Sequence, residues 1–388
     1  MKKILFICSL YHPHIGGIET MVLNLSNFIC QRGIEPIVLT KRYPTNLASY
    51  GLHQSTKIFR VVRPRTEKEF QKVISFIKNH SDQLKPDLIH IIGLRRPLPI
   101  IGLILSQYWK IPLVSTIAGS EISNNMLIKD KGVLDEMTVV VNNSDYVTCV
   151  SKAIEQEVRK KFPKQNNIST IYAGINIEFI KNTVCVETKS KYVLYLGRLV
   201  PEKSVQTLLL AFRDVSNKFC DLKLIIAGEG PEDKNLHLLT KKLRLQNKVI
   251  FLGAISQDRA VSLLKMALCM VLPSQSEGGG LVNIEAQAAG CPVIASRIGG
   301  IPEYVKENIS GLLFSPGNNI ELFDKICIIL ENQGLRKKLI QSGLKYSKGF
   351  DWKVLGPKYI ALYESLINSS RRGFNPTKQS KIVKNIWK

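Results

Sequence analysis

The chain has 388 residues, 45% of them hydrophobic and 22% charged, with a net charge of +23. That length exceeds what one hydrophobic core usually serves, so two domains are expected, and the apolar content excludes a disordered chain and a small disulfide scaffold. The basic balance favours anionic partners, whether nucleotide phosphates, nucleic acid or acidic lipid surfaces, and does not choose among them.

Lys2-Lys3 and the apolar run Ile4 to Leu10 have the outline of a signal peptide, but the run is short and no small-residue cleavage site follows. A first buried β-strand, Ile4–Cys8, is the better reading. Further short apolar runs predict strands at Pro36–Thr40, Leu88–Ile92, Leu113–Ile117, Tyr146–Val150 and Ser169–Tyr172. Between the first two strands Met21, Val22, Leu25, Phe28 and Ile29 recur at helical spacing, ending at Gly33. Phe70, Val73, Ile74 and Ile77 mark another helix, flanked by Lys68, Lys72 and Lys78 and expected to pack on the core rather than sit on a membrane. Strand and helix alternating in this way predict an α/β fold built on parallel sheet.

The polar, charged stretch from Lys181 to Lys191 interrupts the series and is expected to link two domains, over 1–180 and 191–350. A second series follows, with strands predicted at Tyr192–Leu196, Leu222–Ala227, Val249–Leu252, Leu268–Leu272 and Val293–Ala295. A helix over 352–370 is expected to pack back onto the first domain. The tail 371–388 carries Arg371, Arg372, Lys378, Lys381, Lys384 and Lys388, no acidic residue, and Trp387. It suits either a solvated terminus or contact with an anionic membrane surface. No apolar run is long enough for a membrane span. The eight cysteines lie far apart without a Cys-x-x-Cys pair and read as buried thiols in a reducing, cytoplasmic setting.

The strongest chemical signal is Pro273-Ser274-Gln275-Ser276-Glu277-Gly278-Gly279-Gly280-Leu281-Val282-Asn283-Ile284-Glu285. A strand runs through a triple glycine into a helix. Glycines let backbone N–H groups approach an anion, and the helix dipole favours negative charge there. Glu285, one turn into the helix, is placed to accept hydrogen bonds from a ribose diol, and Glu277 to face a sugar; a flexible turn with solvated carboxylates is the alternative. Tyr195-Leu196-Gly197-Arg198-Leu199-Val200-Pro201-Glu202-Lys203 brings a guanidinium and an ammonium to the carboxyl edge of the second sheet, where ligands of open α/β sheets bind. Taken alone, it also reads as a solvated loop of mixed charges. The loop Tyr11-His12-Pro13-His14-Ile15-Gly16-Gly17 follows the first strand; its His-x-His pair is weak support for a metal, and no Asp-x-Asp pair is present.

These stretches, in this order and over nearly the whole chain, resemble the glycosyl transferases group 1 family of retaining GT-B enzymes. The resemblance implies two Rossmann-like domains facing each other across a cleft, with transfer of a hexosyl group from a nucleoside-diphosphate sugar to a glycan or lipid-linked acceptor. It also implies chemistry without a metal or other cofactor. By resemblance Glu277 contacts donor-sugar hydroxyls and Glu285 holds the ribose. Gly279, Gly280, Leu281 and Val282 line the pyrophosphate, while Arg198 and Lys203 stabilise the leaving diphosphate. Gly253 and Ile255 lie near the base, and the loop at Gly16 and Gly17 lies over acceptor and donor phosphate. Departures from the family pattern are Ala118 where histidine is frequent, Gly279 where the turn often carries an aromatic, Ser204 after the lysine, and Ala173 where asparagine is common. A nucleotide-sugar epimerase of similar fold and a non-enzymatic nucleotide- or RNA-binding protein are the alternatives; no aromatic-basic motif supports a nucleic-acid partner.

Overall fold

The computed structural model describes residues 2–64, 66–95, 97–123, 131–185 and 190–371. The chain divides into two compact units, residues 1–172 together with the chain from Trp352 onward, and Ala173–Asp351.

Unit 1 is built on β1 (Lys3–Ile7), β2 (Glu35–Lys41), β3 (Tyr50–His53), β4 (Thr56–Val61), β5 (Leu88–Ile92), β6 (Leu113–Ile117), β7 (Tyr146–Cys149) and β8 (Ile168–Thr170). They form one sheet in the order β3-β4-β2-β1-β5-β6-β7-β8. Neighbours pair in parallel, except that β3 runs antiparallel to β4. Strands of a parallel sheet covered on both faces are apolar throughout, and Leu5, Ile7, Ile89, Ile91, Leu113 and Ile117 are accordingly buried. The helix Trp352–Arg371 belongs to this unit and packs on the helix Gly17–Cys30. Lys2 Nζ meets Glu364 Oε1 at 2.7 Å, and Tyr363 Oη lies 2.7 Å from Nδ1 of the buried His90 on β5. His90 Nε2 lies 2.6 Å from Thr116 Oγ1 on β6.

Unit 2 holds β9 (Tyr192–Leu196), β10 (Lys223–Ala227), β11 (Val249–Phe251), β12 (Cys269–Leu272), β13 (Val293–Ser296) and β14 (Leu312–Phe314). The sheet is parallel, in the order β11-β10-β9-β12-β13-β14. This is the doubly wound order in which the chain leaves the central strand first to one side and then to the other. The crevice between β9 and β12, at their carboxyl ends, is therefore where the fold places a ligand. In unit 1 the equivalent crevice lies between β1 and β5.

The division of the chain falls at Tyr172 and Ala173, before the charged stretch expected to be the linker. Ile175, Ile177 and Ile180 are buried, the helix Ile177–Asn182 packs on the helix Leu281–Ala288, and Ile175 bridges to Asp351. Apolar burial thus assigns these residues to unit 2, ahead of the change in composition. The thiols are free; Cys8, Cys149, Cys269, Cys291 and Cys327 are buried, whereas Cys185 and Cys220 are exposed, against the expectation of buried thiols throughout. The hairpin β3–β4 and the three-residue β14 were not expected from the sequence. The turn between β3 and β4 places Gln54, a residue without glycine's freedom, at a φ of 52°, so the usual Asn-Gly or Asp-Gly signal is missing. The basic tail from residue 372 lies outside the described residues.

Candidate active site

Two loops meet at the carboxyl edge of the unit 2 sheet. The first leaves β9. Tyr195, buried on that strand, donates its hydroxyl to Arg198 O at 2.9 Å and so fixes the path of the loop. The chain then enters a short 3-10 turn, Pro201–Lys203. The second loop leaves β12, and Gln275 N donates to Glu202 O at 2.8 Å, joining the two backbones. Gln275 Nε2 adds a bond to Ser204 Oγ at 3.2 Å. The junction brings Lys203 Nζ against Glu277 Oε2 in an ion pair whose side chains are only 18% and 14% exposed. Ser274 Oγ donates to the same carboxylate oxygen at 3.4 Å.

Arg198 is exposed and has no carboxylate partner among the described residues. The site therefore holds one balanced cation and one unbalanced one, the arrangement required to attract a polyanion without losing its shape when none is bound.

The helix Leu281–Ala288 starts at the same edge. Its N-cap, Gly280, has a φ of 73° and supplies no side-chain cap. The first N–H groups of a helix have no intrahelical acceptor, so those of Leu281 and Val282 are left for an anion at the positive end of the dipole. Glu285, one turn in, makes no hydrogen bond or ion pair with its carboxylate among the described residues, and burial pushes its pKa up to about 7. A desolvated carboxylate without protein donors is placed to accept bonds from ligand hydroxyls. Beneath the turn, both amide atoms of the buried Asn283 are without a partner.

Gly253 and Ile255 follow β11. Gly197 N donates to Ala227 O at 3.1 Å and Gly228 N to Gly253 O at 2.8 Å, so the loops after β9, β10 and β11 are coupled in series along the edge. Ala254 N donates to Glu229 Oε1 at 3.3 Å. Of the residues predicted from the sequence, Arg198, Lys203, Glu277, Gly279 and Gly280 thus lie on loops of one edge, Leu281, Val282 and Glu285 on the helix that starts there, and Gly253 and Ile255 in the loop after the flanking β11.

Gly16 and Gly17 belong to unit 1, where Gly16 is the extended N-cap of the helix Gly17–Cys30 and has no side-chain cap. The two imidazoles of that loop serve separate partners. His12 stacks on His53 with centroids 3.7 Å apart, whereas His14 stacks on Tyr43 and places Nε2 2.6 Å from Tyr43 O. Among the described residues no group of three or more His, Cys, Asp or Glu side chains is placed to hold a metal ion.

Tyr304 is the site residue the sequence did not announce. A β-carbon at Gly279 would overlap its ring, and its hydroxyl accepts from Ala173 N at 3.1 Å. The two departures noted above, Gly279 and Ala173, are therefore joined through one buried phenol. The ring beside the glycine turn is thus supplied from the helix Ile301–Tyr304.

The comparisons with known proteins show the family and the fold. The Glycosyl transferases group 1 profile matches residues 176–346, and the Glycosyltransferase Family 4 profile residues 15–179. An uncharacterized glycosyltransferase of Methanocaldococcus jannaschii is 32% identical, with 92% of this chain and 97% of that protein covered. The chain belongs to the glycosyl transferases group 1 family. It is a glycosyltransferase, and membership does not favour the epimerase or non-enzymatic readings. The N-acetyl-alpha-D-glucosaminyl L-malate synthase of Bacillus anthracis is 27% identical, over 93% of this chain and 97% of that protein. The crystal structure of Anabaena HepE in complex with UDP-glucose superposes with a TM-score of 0.77 at 21% identity, covering 94% of this chain and all of that one. That likeness confirms the fold, two Rossmann-like parallel sheets of the GT-B kind.

Proposed function

We propose that this glycosyltransferase moves a hexosyl group from a nucleoside-diphosphate sugar to a glycan or lipid-linked acceptor, with retained anomeric configuration and without a metal. The observation that carries the reading is the convergence of Arg198, Lys203 and the uncapped start of Leu281–Ala288 at one sheet edge, beside the unpartnered Glu285. Breaking the bond between the sugar's anomeric carbon and the diphosphate leaves the electron pair on the diphosphate. Cations and N–H groups fixed where that charge grows lower the barrier without reorganising. Lys203 is held by Glu277 and keeps further ammonium protons for phosphate oxygens. Glu277 is then oriented toward the sugar, and Glu285 accepts from the ribose.

The nucleotide-sugar named with HepE supports a donor of this chemical class. The cysteine pattern supports a cytoplasmic setting, and the basic tail 371–388 supports contact with an anionic membrane face; among the described residues no helix is long and apolar enough to cross a membrane. Truncation before Arg371 is expected to weaken binding to anionic vesicles, and unchanged binding would remove that contact from the proposal.

The test of the donor site is thermal stabilisation by a panel of nucleoside diphosphates and their sugars. A ligand at ~100 times its dissociation constant adds about 2.7 kcal/mol. A shift selective for one base and lost in Glu285→Ala supports the reading; no shift with any member of the panel overturns it.

A further inference from the structure

Lys203 is bracketed by one residue of the neighbouring loop. Gln275 N donates to Glu202 O at 2.8 Å, on the chain just before the lysine, and Gln275 Nε2 donates to Ser204 Oγ at 3.2 Å, just after it. Two residues beyond Gln275, Glu277 takes the lysine's ammonium itself. A single bond between two loops leaves each free to pivot about it, whereas bonds on both sides of Lys203 fix the direction in which its side chain leaves the backbone.

Ser204 is built for this bond rather than for the helix it begins. It is the N-cap of the helix Val205–Lys218, where a serine oxygen usually accepts from N–H groups of the first turn, yet it makes no such bond. Its backbone is left-handed, with φ 48° and ψ 43°, a conformation that strains a residue carrying a β-carbon and that glycine adopts freely. The residue is fully buried, and its hydroxyl lies 2.9 Å from that of the buried Thr207, so the oxygen that meets Gln275 is held in one place. A strained backbone kept for a side-chain bond outside its own helix marks a role beyond capping.

We propose that Ser204 and Gln275 are positioning residues for the transfer: their bond aims Lys203 at the diphosphate as it leaves, acting through the lysine rather than on the donor. This rests on the glycosyl-transfer reading, which gives Lys203 its task. A cation lowers the barrier only where it already points at the growing charge, so a lysine free to swing still attracts the bound nucleotide but loses the transition state. The loss therefore falls on kcat rather than on KM.

The test uses the full-length protein and Gln275→Met, which keeps the length of an exposed side chain and the backbone bond while removing the amide donor. The substrate is the nucleoside-diphosphate sugar that gives the largest thermal shift in the donor panel, with water as acceptor. Release of nucleoside diphosphate should show kcat lowered about tenfold, the upper end of what one hydrogen bond contributes, at a KM within about twofold. Ser204→Gly relieves the strained backbone as it removes the hydroxyl, and should lose as much. The double variant should lose no more than either alone, since both break the same bond. Amine acylation, read by peptide mass spectrometry, should rise several-fold at Lys203 in each variant and stay unchanged at the exposed Lys72. Full turnover in Gln275→Met, losses that multiply in the double variant, or unchanged acylation at Lys203 overturns the proposal. Failure of the donor reading shows separately, as the lack of any thermal shift in the unaltered protein.

Discussion

The two sheets present their carboxyl edges with different charge arrangements. At the edge of unit 2 Lys203 meets Glu277, and the surrounding loops are fixed by backbone bonds. At the edge of unit 1 Lys41, the last residue of β2, is half-buried, and burial together with the charges of Arg63 and Arg95 lowers its pKa. A site balanced by its own carboxylate keeps its shape without help from a ligand. A phosphate that becomes a leaving group must find groups already in place, since transition-state stabilisation relies on preorganisation.

The largest expected effect tests the preorganised edge. Lys203→Ala should reduce kcat by about two orders of magnitude, the usual consequence of removing one fixed donor from a developing oxyanion. It also leaves Glu277 without its cation, so part of any loss in melting temperature should return in the double variant Lys203→Ala, Glu277→Gln, while the lost turnover should not. Steady-state kinetics and thermal melts read the two separately; a single variant with ordinary turnover would show that charge balance at this edge serves folding alone.

A second contrast is in pH dependence. His90 in unit 1 is buried between Tyr363 and Thr116, and burial lowers its pKa from 6.5 to about 3. The unfolded chain takes up a proton below pH 6.5 that the folded unit refuses, so stability is lost as pH falls from there, by about 1.4 kcal/mol per pH unit. Glu285 in unit 2 acts in the opposite sense. Its carboxyl is raised from 4.5 to about 7, so the folded unit binds the extra proton and loses stability as pH rises through that interval. Denaturant unfolding from pH 4 to 8 should show His90→Gln flattening the acid side. Glu285→Gln, by contrast, should stabilise the protein at pH 8, on the order of 1 kcal/mol, and change little near pH 4. The same substitution should weaken nucleoside diphosphate binding, a site residue kept at a cost to stability. Stabilisation by Glu285→Gln that is equal at both pH values would place its carboxyl outside the desolvated edge.

The sheet strands were legible because parallel strands covered on both faces leave uninterrupted apolar runs, as in Tyr192–Leu196 and Leu88–Ile92. The edge hairpin β3–β4 was not. Its strands mix Lys57 and Arg60 with apolar residues, and the burial of Arg60 depends on contacts with Ala48 O and His12 O that no local pattern encodes. In unit 2 the site was legible because phosphate chemistry fixes residue types over short stretches of chain, as in Glu277 to Glu285. Tyr304 escaped because it reaches Gly279 and Ala173 from a helix distant from both in sequence.

The smallest predicted effect sharpens that last point. Tyr304 fills the space beside Gly279 with its ring and holds Ala173 with its oxygen, and these two roles separate on substitution. Tyr304→Phe keeps the ring and removes the acceptor from a buried N–H, which costs about 1 kcal/mol. Tyr304→Ala also removes the wall against which the glycine turn packs, and a buried aromatic truncated in this way costs about 3 kcal/mol or more. If the turn depends on the ring, nucleoside diphosphate affinity should survive Tyr304→Phe and fall in Tyr304→Ala. A fall of equal size in both would instead assign the effect to the hydrogen bond at Ala173, and hence to the segment at which unit 2 begins.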